Sequence, residues 1–173
     1  MENYLSKIKT RIAMKIFIER VKGEGKKVVF TNGCFDILHQ GHVRYLSEAK
    51  SYGNYLIVGL NSDKSVRQIK GKNRPLMPEG ARAEVLAALC FVDGVVIFEE
   101  ENPLTIIKYL QPQVLVKGAD WAEEEIIGAE VVKKRGGEVK RVPLVPGCST
   151  SDIIRRIATL CSPNNSEARA SFP

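Results

Sequence analysis

The chain has 173 residues, a net charge of +6 and a pI of about 9.2, with 44% hydrophobic and 27% charged residues. This size and composition indicate one globular domain with its own core, and the charge favours anionic partners such as nucleotides, phosphosugars, nucleic acid or anionic lipid. Four scattered cysteines without a C-x-x-C pair argue against a zinc site or a disulfide framework and indicate a cytoplasmic location. No apolar run approaches the roughly 20 residues that span a bilayer, and the N-terminus lacks a secretory signal, so we expect no membrane partner.

The first predicted element is an N-terminal helix over residues 5–21. Its apolar residues at helical spacing are Leu5, Ile8, Ile12, Ala13 and Ile16, and Gly23 and Gly25 follow it. We therefore divide the chain into an N-terminal helical segment, residues 1–25, and a domain over residues 26–160. The polar tail, residues 161–173, is expected to be disordered.

Five short apolar runs then alternate with helical patterns. Strands are predicted over 26–33, 55–60, 94–98, 114–117 and 138–142, and helices over 42–52, 62–69, 79–90, 103–110, 124–135 and 151–160. Continuous apolar strands that alternate with helices are typical of a parallel sheet covered on both faces. The prediction is an α/β fold: a three-layer, Rossmann-like arrangement with a five-stranded parallel sheet and helices on both faces.

The stretch FTNGCFDILHQGH, residues 30–42, contains both histidines of the chain, His39 and His42. It follows the first predicted strand and leads into a helix, where ligands of open α/β sheets bind. Gly41 allows a close backbone approach, and the free N–H groups of a helix start attract anions. We predict that the two imidazoles donate hydrogen bonds to a phosphate. A metal site would need a third ligand, and ordinary surface histidines are the other alternative.

Other phosphate-binding motifs are absent from the sequence. There is no G-x-x-x-x-G-K-[ST], which excludes a P-loop enzyme. There is also no G-x-G-x-x-G after the first strand, which removes the main support for a dinucleotide-binding domain.

A second anion site is predicted where the last helix begins. Ser149, Thr150 and Ser151 precede apolar residues at helical spacing, and the helix starts at the same sheet edge as the histidines. Hydroxyl groups at that position are first of all helix caps, which is the alternative interpretation.

Two further segments carry candidate binding residues. Lys70, Lys72 and Arg74 lie in a Gly- and Pro-containing loop that could fold over a ligand, and Arg82 follows early in the next helix, although such charges are usually a solvated face. At the end of the fourth strand, Gly118 permits close approach and Asp120 can accept a hydrogen bond, while Trp121 either stacks on a ligand or packs.

Together, G-C-F-D-x-L-H-x-G-H, K-G-x-D-W and G-x-S-T-S-x-I-I resemble the cytidylyltransferase-like branch of the nucleotidyltransferases over about residues 27–157. The longer stretches FTNGCFDILHQGHVRYLSEAK, LIVGLNSDKSVRQIKG and RPLMPEGARAEVLAAL look like the adenylyltransferase family of the ADP-heptose pathway. That resemblance implies transfer of AMP from ATP to D-glycero-β-D-manno-heptose 1-phosphate, with release of pyrophosphate, in lipopolysaccharide biosynthesis. No sugar kinase half is present, and the chain looks like the stand-alone form.

The resemblance also implies roles for individual residues. His39, His42 and Lys72 would act on the transferring phosphate. The nucleotide would meet Gly33, Cys34, Phe35, Gly41, Gly118, Asp120, Trp121, Ser149, Thr150 and Ser151. Asn61, Lys70 and Arg82 would contact the substrate or a phosphate. Mg²⁺ would arrive on the ATP phosphates, with no metal site in the protein, and a homodimer is the expected state.

Two positions depart from the related pattern of glycerol-3-phosphate cytidylyltransferase. Leu144 stands where that pattern has an arginine, which favours ATP and the heptose branch over CTP. Ser151 replaces the commoner threonine, a change we expect to be mild. Cys34 is expected to be a small residue at a strand end, not a nucleophile.

Several alternatives stay open at this point. Another nucleotidyltransferase could act on glycerol phosphate, phosphoethanolamine or flavin mononucleotide. A catalytically silent nucleotide sensor is a further alternative, and so is a nucleic-acid-binding module, suggested by the basic pI. The low aromatic content of 7% and the lack of a recognised motif speak against nucleic acid as a partner.

Overall fold

The computed structural model describes residues 3–120 and 122–161. Strands β1–β5 span Val28–Gly33, Tyr55–Asn61, Gly94–Phe98, Val114–Gly118 and Glu138–Val142. Helices α1–α7 span Arg11–Gly23, Gln40–Ser51, Asp63–Lys70, Glu79–Ala88, Leu104–Leu110, Ala129–Lys133 and Thr150–Leu160. Each predicted strand is found within two residues of its expected ends. None of the described helices is both long and apolar enough to cross a membrane.

The five strands form one parallel sheet in the order β3-β2-β1-β4-β5. The chain first adds strands on one side of β1 and then places β4 on its other side. In sheets of this kind, the crevice at the carboxyl ends of the two strands where the order reverses binds ligands. The predicted α/β architecture is therefore confirmed, and the reversal lies between β1 and β4.

Helices cover both faces of the sheet, and β1 shows how the core divides. Val29 faces α2 and α4, in a cluster with Leu46 and Leu86. Its neighbours in sequence, Val28 and Phe30, face the opposite side with α1, α5 and α6. Successive side chains of a strand point to opposite faces, so a strand buried on both sides must be apolar at every position. This explains the continuous apolar runs.

The N-terminal helix differs from its prediction. Residues Tyr4–Lys7 form a short 3-10 helix, and α1 begins only after Thr10, whose Oγ1 accepts a hydrogen bond from Ala13 N at 3.2 Å. The predicted apolar face is wrong at Ile12 and Ile16, which are 68% and 62% exposed. Instead, Met14, Ile18 and Val21 are fully buried against the sheet. The described part of the N-terminal segment thus packs on the sheet of the domain that follows it.

The helix predicted over 124–135 is also divided. A 3-10 turn, Glu123–Glu125, precedes the short α6, and Gly128 between them has a φ of 93°. A Cβ at Gly128 would lie 2.7 Å from Ile107 Cδ1, so α5 packs directly against the glycine backbone. The positive φ and the close approach of α5 both require glycine at this position, and the positive φ interrupts the helix that was predicted over residues 124–135.

Candidate active site

A cavity of about 290 Å³ opens at the carboxyl ends of β1 and β4, beside the first turns of α2 and α7. Predicted site residues line it: Gly33, Cys34, Phe35, His39, Gly41, His42, Gly118, Asp120, Ser149 and Thr150. Residues outside the prediction complete the lining: Asn32, Tyr45, Lys117, Leu144, Val145 and Cys148. Three motifs far apart in sequence therefore surround one space at the reversal point of the sheet.

The two histidine rings stack on each other at the start of α2. Helix α2 begins at Gln40, two residues earlier than predicted, so His39 is its N-cap residue and His42 lies in its first turn. The ring centroids are 3.8 Å apart with 25° between the planes. Phe35 approaches the His42 ring edge-on at 5.2 Å. This packing fixes the position of His42 before any ligand arrives.

Burial keeps the histidine pair neutral. Burial, together with the nearby His39, lowers the pKa of His42 to about 4, because two charged rings in contact would repel. Burial also lowers the pKa of His39. The Nδ1 atoms of both rings are buried and without a well-formed hydrogen bond in the described part of the chain. Each neutral ring offers one N–H donor, and an anion in the cavity would find donors without competing water.

Helix α7, whose start lies beside the start of α2, contributes hydroxyl groups to the cavity. Ser149 is its N-cap: Oγ accepts a hydrogen bond from Asp152 N at 3.1 Å and donates one to Asp152 Oδ2 at 2.7 Å. Ser149 therefore caps α7, as the alternative interpretation states, and the Ser149 side chain also lines the cavity. Thr150 also lines the cavity. Ser151 is exposed and does not line it, so its predicted nucleotide contact has no geometric support.

Gly41 lets α2 and α7 meet closely. A Cβ at this position would lie 3.0 Å from the His39 ring and 3.2 Å from Cys148 Cβ. Gln40 Nε2 also lies 3.0 Å from Cys148 Sγ across the same junction. A side chain at Gly41 would therefore displace either the histidine or the start of α7.

The end of β4 supplies a cation that the sequence analysis overlooked. Lys117 Nζ lies 3.5 Å from Asn32 O, across the β1–β4 boundary. Burial lowers the pKa of Lys117 to about 8, although the nearby Asp120 opposes the shift. A lysine that closes an otherwise apolar strand, VLVKG, is the sequence feature that could have indicated it. Trp121 lies outside the described residues.

Cys34 lines the cavity as a thiol. Burial raises its pKa, against the opposing charges of Lys70 and Arg82. A neutral thiol is a poor nucleophile, which agrees with the expectation that Cys34 performs no covalent chemistry.

The structure does not bring Asn61, Lys70, Lys72 and Arg82 to this cavity. Arg82 is 2% exposed, and its guanidinium donates to protein atoms only, among the described residues: Cys34 O at 2.6 Å, Asn61 O and Met77 O at 2.9 Å, and Asp63 Oδ1 at 2.6 Å. The Asn61 side chain donates to Ser65 Oγ at 2.9 Å. Their predicted substrate contacts stay predictions, and the geometry gives both residues a structural role first.

Asp36 is a further residue that the sequence analysis passed over. Its buried carboxylate accepts hydrogen bonds from Arg74 Nε at 2.7 Å, Leu76 N at 2.9 Å and Met77 N at 2.8 Å. Although burial opposes the shift, these donors lower the pKa of Asp36. The carboxylate thus ties the loop that follows α3, with its basic residues, to the histidine motif.

The chemistry of the donor set indicates an anion site, not a metal centre. Across residues 3–120 and 122–161, no three histidine, cysteine or acidic side chains come together in a way that could hold a metal ion. The cavity instead combines two imidazoles, one ammonium group, three hydroxyl groups and the free N–H groups of two helix starts, with Asp120 as its one carboxylate. This combination suits the phosphates of a nucleotide.

Known proteins share these motifs. The family model described as Cytidylyltransferase-like matches residues 30–156. Bifunctional protein HldE of Geotalea uraniireducens is 54% identical over 154 residues, which are 89% of this chain and 31% of that protein. Bifunctional protein HldE of Hyphomonas neptunium is 54% identical over 142 residues, 82% of this chain and 29% of that protein. The chain thus spans about a third of the length of these relatives.

Solved structures agree at the level of the fold. The lipopolysaccharide core biosynthesis protein from Thermoplasma volcanium has a TM-score of 0.56 and 31% identity, over 70% of this chain and 98% of that one. Pantothenate synthetase from Thermus thermophilus has a TM-score of 0.56 at 17% identity, over 89% of this chain and 71% of that one, which supports the fold alone. The predicted resemblance is confirmed: the chain belongs to the cytidylyltransferase-like family and is a nucleotidyltransferase.

Proposed function

We propose that the chain transfers the adenylyl group of ATP to D-glycero-β-D-manno-heptose 1-phosphate, giving ADP-heptose and pyrophosphate. The observation that carries this proposal is the single cavity in which the stacked histidines face the hydroxyl-bearing start of α7. Relatives named HldE and a neighbour named for lipopolysaccharide core biosynthesis support the heptose branch.

The reaction needs no general base. A phosphate oxygen of the sugar 1-phosphate is already ionised at pH 7, since its second pKa is about 6. That oxygen attacks the α-phosphorus of ATP, a new P–O bond forms, and pyrophosphate leaves with the electron pair of the broken bond. Catalysis then rests on bringing two polyanions together and stabilising charge at the α-phosphate.

The residues of the cavity divide this work. His39 and His42, held neutral by burial, donate hydrogen bonds to the transferring phosphate. Thr150 and the free N–H groups of α7 hold the outer phosphates, while Ser149, whose hydroxyl proton is donated to Asp152 Oδ2, caps the helix that presents them. Lys70 and Lys72 lie in the loop anchored by Asp36, and we propose that this loop brings them to the leaving pyrophosphate.

Mg²⁺ is proposed as part of the nucleotide substrate. No group of three metal-ligating side chains exists among the described residues, so the ATP phosphates would supply most ligands, and Asp120 is the carboxylate that lines the nucleotide cavity. When bound, the ion neutralises phosphate charge. The expected homodimer stays a prediction.

Leu144 supports ATP over CTP as the nucleotide. Its side chain is 50% exposed and lines the cavity at the position where the glycerol-3-phosphate cytidylyltransferase pattern has an arginine. An apolar residue there removes a charged donor from the nucleotide site.

A substrate panel tests the proposal. The purified chain is incubated with Mg²⁺, ATP or CTP, and heptose 1-phosphate, glycerol 3-phosphate, phosphoethanolamine or flavin mononucleotide. Pyrophosphate release is measured, and the product is identified by mass spectrometry. We expect ADP-heptose from ATP and heptose 1-phosphate, with other pairs at least about 100-fold slower, the discrimination that a site reaches when its polar groups lose their partners. Turnover of CTP with glycerol 3-phosphate would overturn the proposal.

A further inference from the structure

A second cavity, of about 160 Å³, adjoins the nucleotide cavity. It lies between the segment after β3, the end of β4 and the segment that precedes α6. Asn32 and Lys117 line both cavities. The two spaces therefore meet at the carboxyl ends of β1 and β4, on either side of the point where the sheet order reverses.

The junction between the cavities carries unused polar groups. Asn32 Oδ1 is buried and has no hydrogen-bond partner among the described residues. Among the described residues, the one hydrogen-bond contact recorded for Lys117 Nζ is with Asn32 O, at 3.5 Å. Buried polar atoms without partners are costly, so a site that keeps them is suited to a ligand that supplies the missing bonds.

The remaining wall of the second cavity suits a polyhydroxylated molecule. Glu101 and Glu125 are carboxylates, which accept hydrogen bonds from hydroxyl groups. Asn102 Oδ1 accepts from Leu104 N at 3.1 Å, which leaves its NH₂ group as a donor. Ile126 and Ile127 add an apolar surface of the kind that packs against the C–H faces of a sugar.

The charges also separate the two ligands. Two carboxylates would repel a triphosphate from the second cavity, whereas Asp120 is the single carboxylate on the lining of the nucleotide cavity. The one cation of the second cavity, Lys117, stands at the junction. An acceptor with a neutral, hydroxyl-rich body and one anionic end would fit with its phosphate at Lys117 and its hydroxyl groups beyond.

We propose that this second cavity is the acceptor subsite: it binds the hydroxyl groups of a sugar phosphate, one of which donates to Asn32 Oδ1, and Lys117 holds the acceptor phosphate at the entrance to the nucleotide cavity. This inference rests on the proposed function, because it names where the second substrate of the same reaction binds. In that position an oxygen of the acceptor phosphate faces the α-phosphate of the nucleotide, with no proton to remove.

The test fills the second cavity without touching the first. Ile127 is 44% exposed, so Ile127→Trp adds bulk to the cavity while leaving the core intact. Tyr109→Trp is the matched control, since Tyr109 is 40% exposed and lines neither cavity. Lys117→Met removes the junction cation at similar length. KM and kcat are measured for ATP and heptose 1-phosphate, and ATP binding without acceptor is measured by calorimetry.

The expected results differ between the two substrates. Ile127→Trp raises KM for heptose 1-phosphate at least tenfold and leaves the dissociation constant of ATP within threefold of wild type. Lys117→Met lowers kcat/KM for heptose 1-phosphate about 100-fold, because a buried charge-assisted contact is lost. Its ATP affinity does not serve as a control, since Lys117 also lines the nucleotide cavity. Tyr109→Trp behaves as wild type.

Three outcomes separate the possible failures. An active wild-type enzyme whose Ile127→Trp variant keeps its KM for heptose 1-phosphate overturns the acceptor subsite alone. A loss of ATP binding in that variant would do the same, since the second cavity would then hold nucleotide. A wild-type enzyme that binds ATP but does not adenylylate heptose 1-phosphate overturns the proposed function, and the subsite assignment falls with it.

Discussion

Replacing Arg82 by methionine separates a structural from a substrate-binding role for this arginine. Its side chain is fully buried and donates four hydrogen bonds of 2.6–2.9 Å. Methionine fills similar volume but leaves three backbone carbonyls and the Asp63 carboxylate without their donor. Each buried acceptor without a partner costs about 1–3 kcal/mol, and removing one member of a buried ion pair costs about 3–5 kcal/mol. Because Asp63 is 24% exposed, water replaces much of its lost ion pair, and three carbonyls at about 1 kcal/mol each with this reduced ion-pair loss give a total of about 3–5 kcal/mol.

The assay is thermal and urea unfolding, with steady-state kinetics in parallel. For a chain of this size, about 3–5 kcal/mol corresponds to a Tm lowered by roughly 6–20 °C. Arg67→Met is the control: Arg67 lies exposed on α3, and its loss should change stability by less than about 0.5 kcal/mol. The structural reasoning is refuted if Arg82→Met unfolds within 2 °C of wild type while KM for either substrate rises tenfold or more. That result would support the phosphate contact that the family resemblance implies.

Three further predictions concern the histidine motif. His42→Ala should lower kcat by about 10²–10³ with unchanged folding by circular dichroism; near-normal turnover would contradict its role as a phosphate donor. Gly41→Ala should lower kcat/KM at least tenfold, because the new Cβ would lie 3.0 Å from the His39 ring. The Tm should stay the same or rise, since alanine is a better helix former than glycine. Unaltered kinetics would show that α2 and α7 tolerate the methyl group. The pKa of His42 is lowered to about 4 in the folded chain, whereas the unfolded chain binds a proton at this ring below about pH 6.5. The folded state is therefore destabilised progressively as the pH falls from about 6.5 toward 4, and the full stability is present above about pH 6.5. Wild type should therefore lose about 2 kcal/mol more than His42→Gln between pH 7.5 and pH 5.0 in urea unfolding; equal losses would mean that the ring is not held neutral.

Much of the fold follows from local sequence patterns. The five apolar runs became the five strands, and Gly128 and Thr10 account for the two helices that differ from prediction. Hydrophobic periodicity responds to burial, and burial on both faces leaves a pattern that is visible within six residues. Helix α1 shows the limit: two sets of apolar residues have helical spacing, and only contact with the sheet selects Met14, Ile18 and Val21.

The candidate site was predictable where its residues belong to one short segment, because local structure then sets their relative positions. His39, Gly41 and His42 belong to a single strand–turn–helix unit, so their spacing already puts two imidazoles at a helix start. Arg82 was harder to interpret, because an arginine early in a helix has the same local pattern whether it meets a phosphate or the carbonyls of Cys34 and Asn61. Those carbonyls lie 48 and 21 positions away, and only the folded chain brings them to it.

The sequence by itself determined the order of strands and helices, the family and the placement of both histidines at the start of α2, since each depends on residues close together in the chain. The tertiary structure alone decided that β4 lies beside β1. That pairing sets Lys117 against Asn32, 85 positions earlier, and opens a second cavity next to the first. Contacts between distant segments depend on which strands become neighbours, and the apolar pattern of a doubly buried strand is the same whichever neighbour it takes.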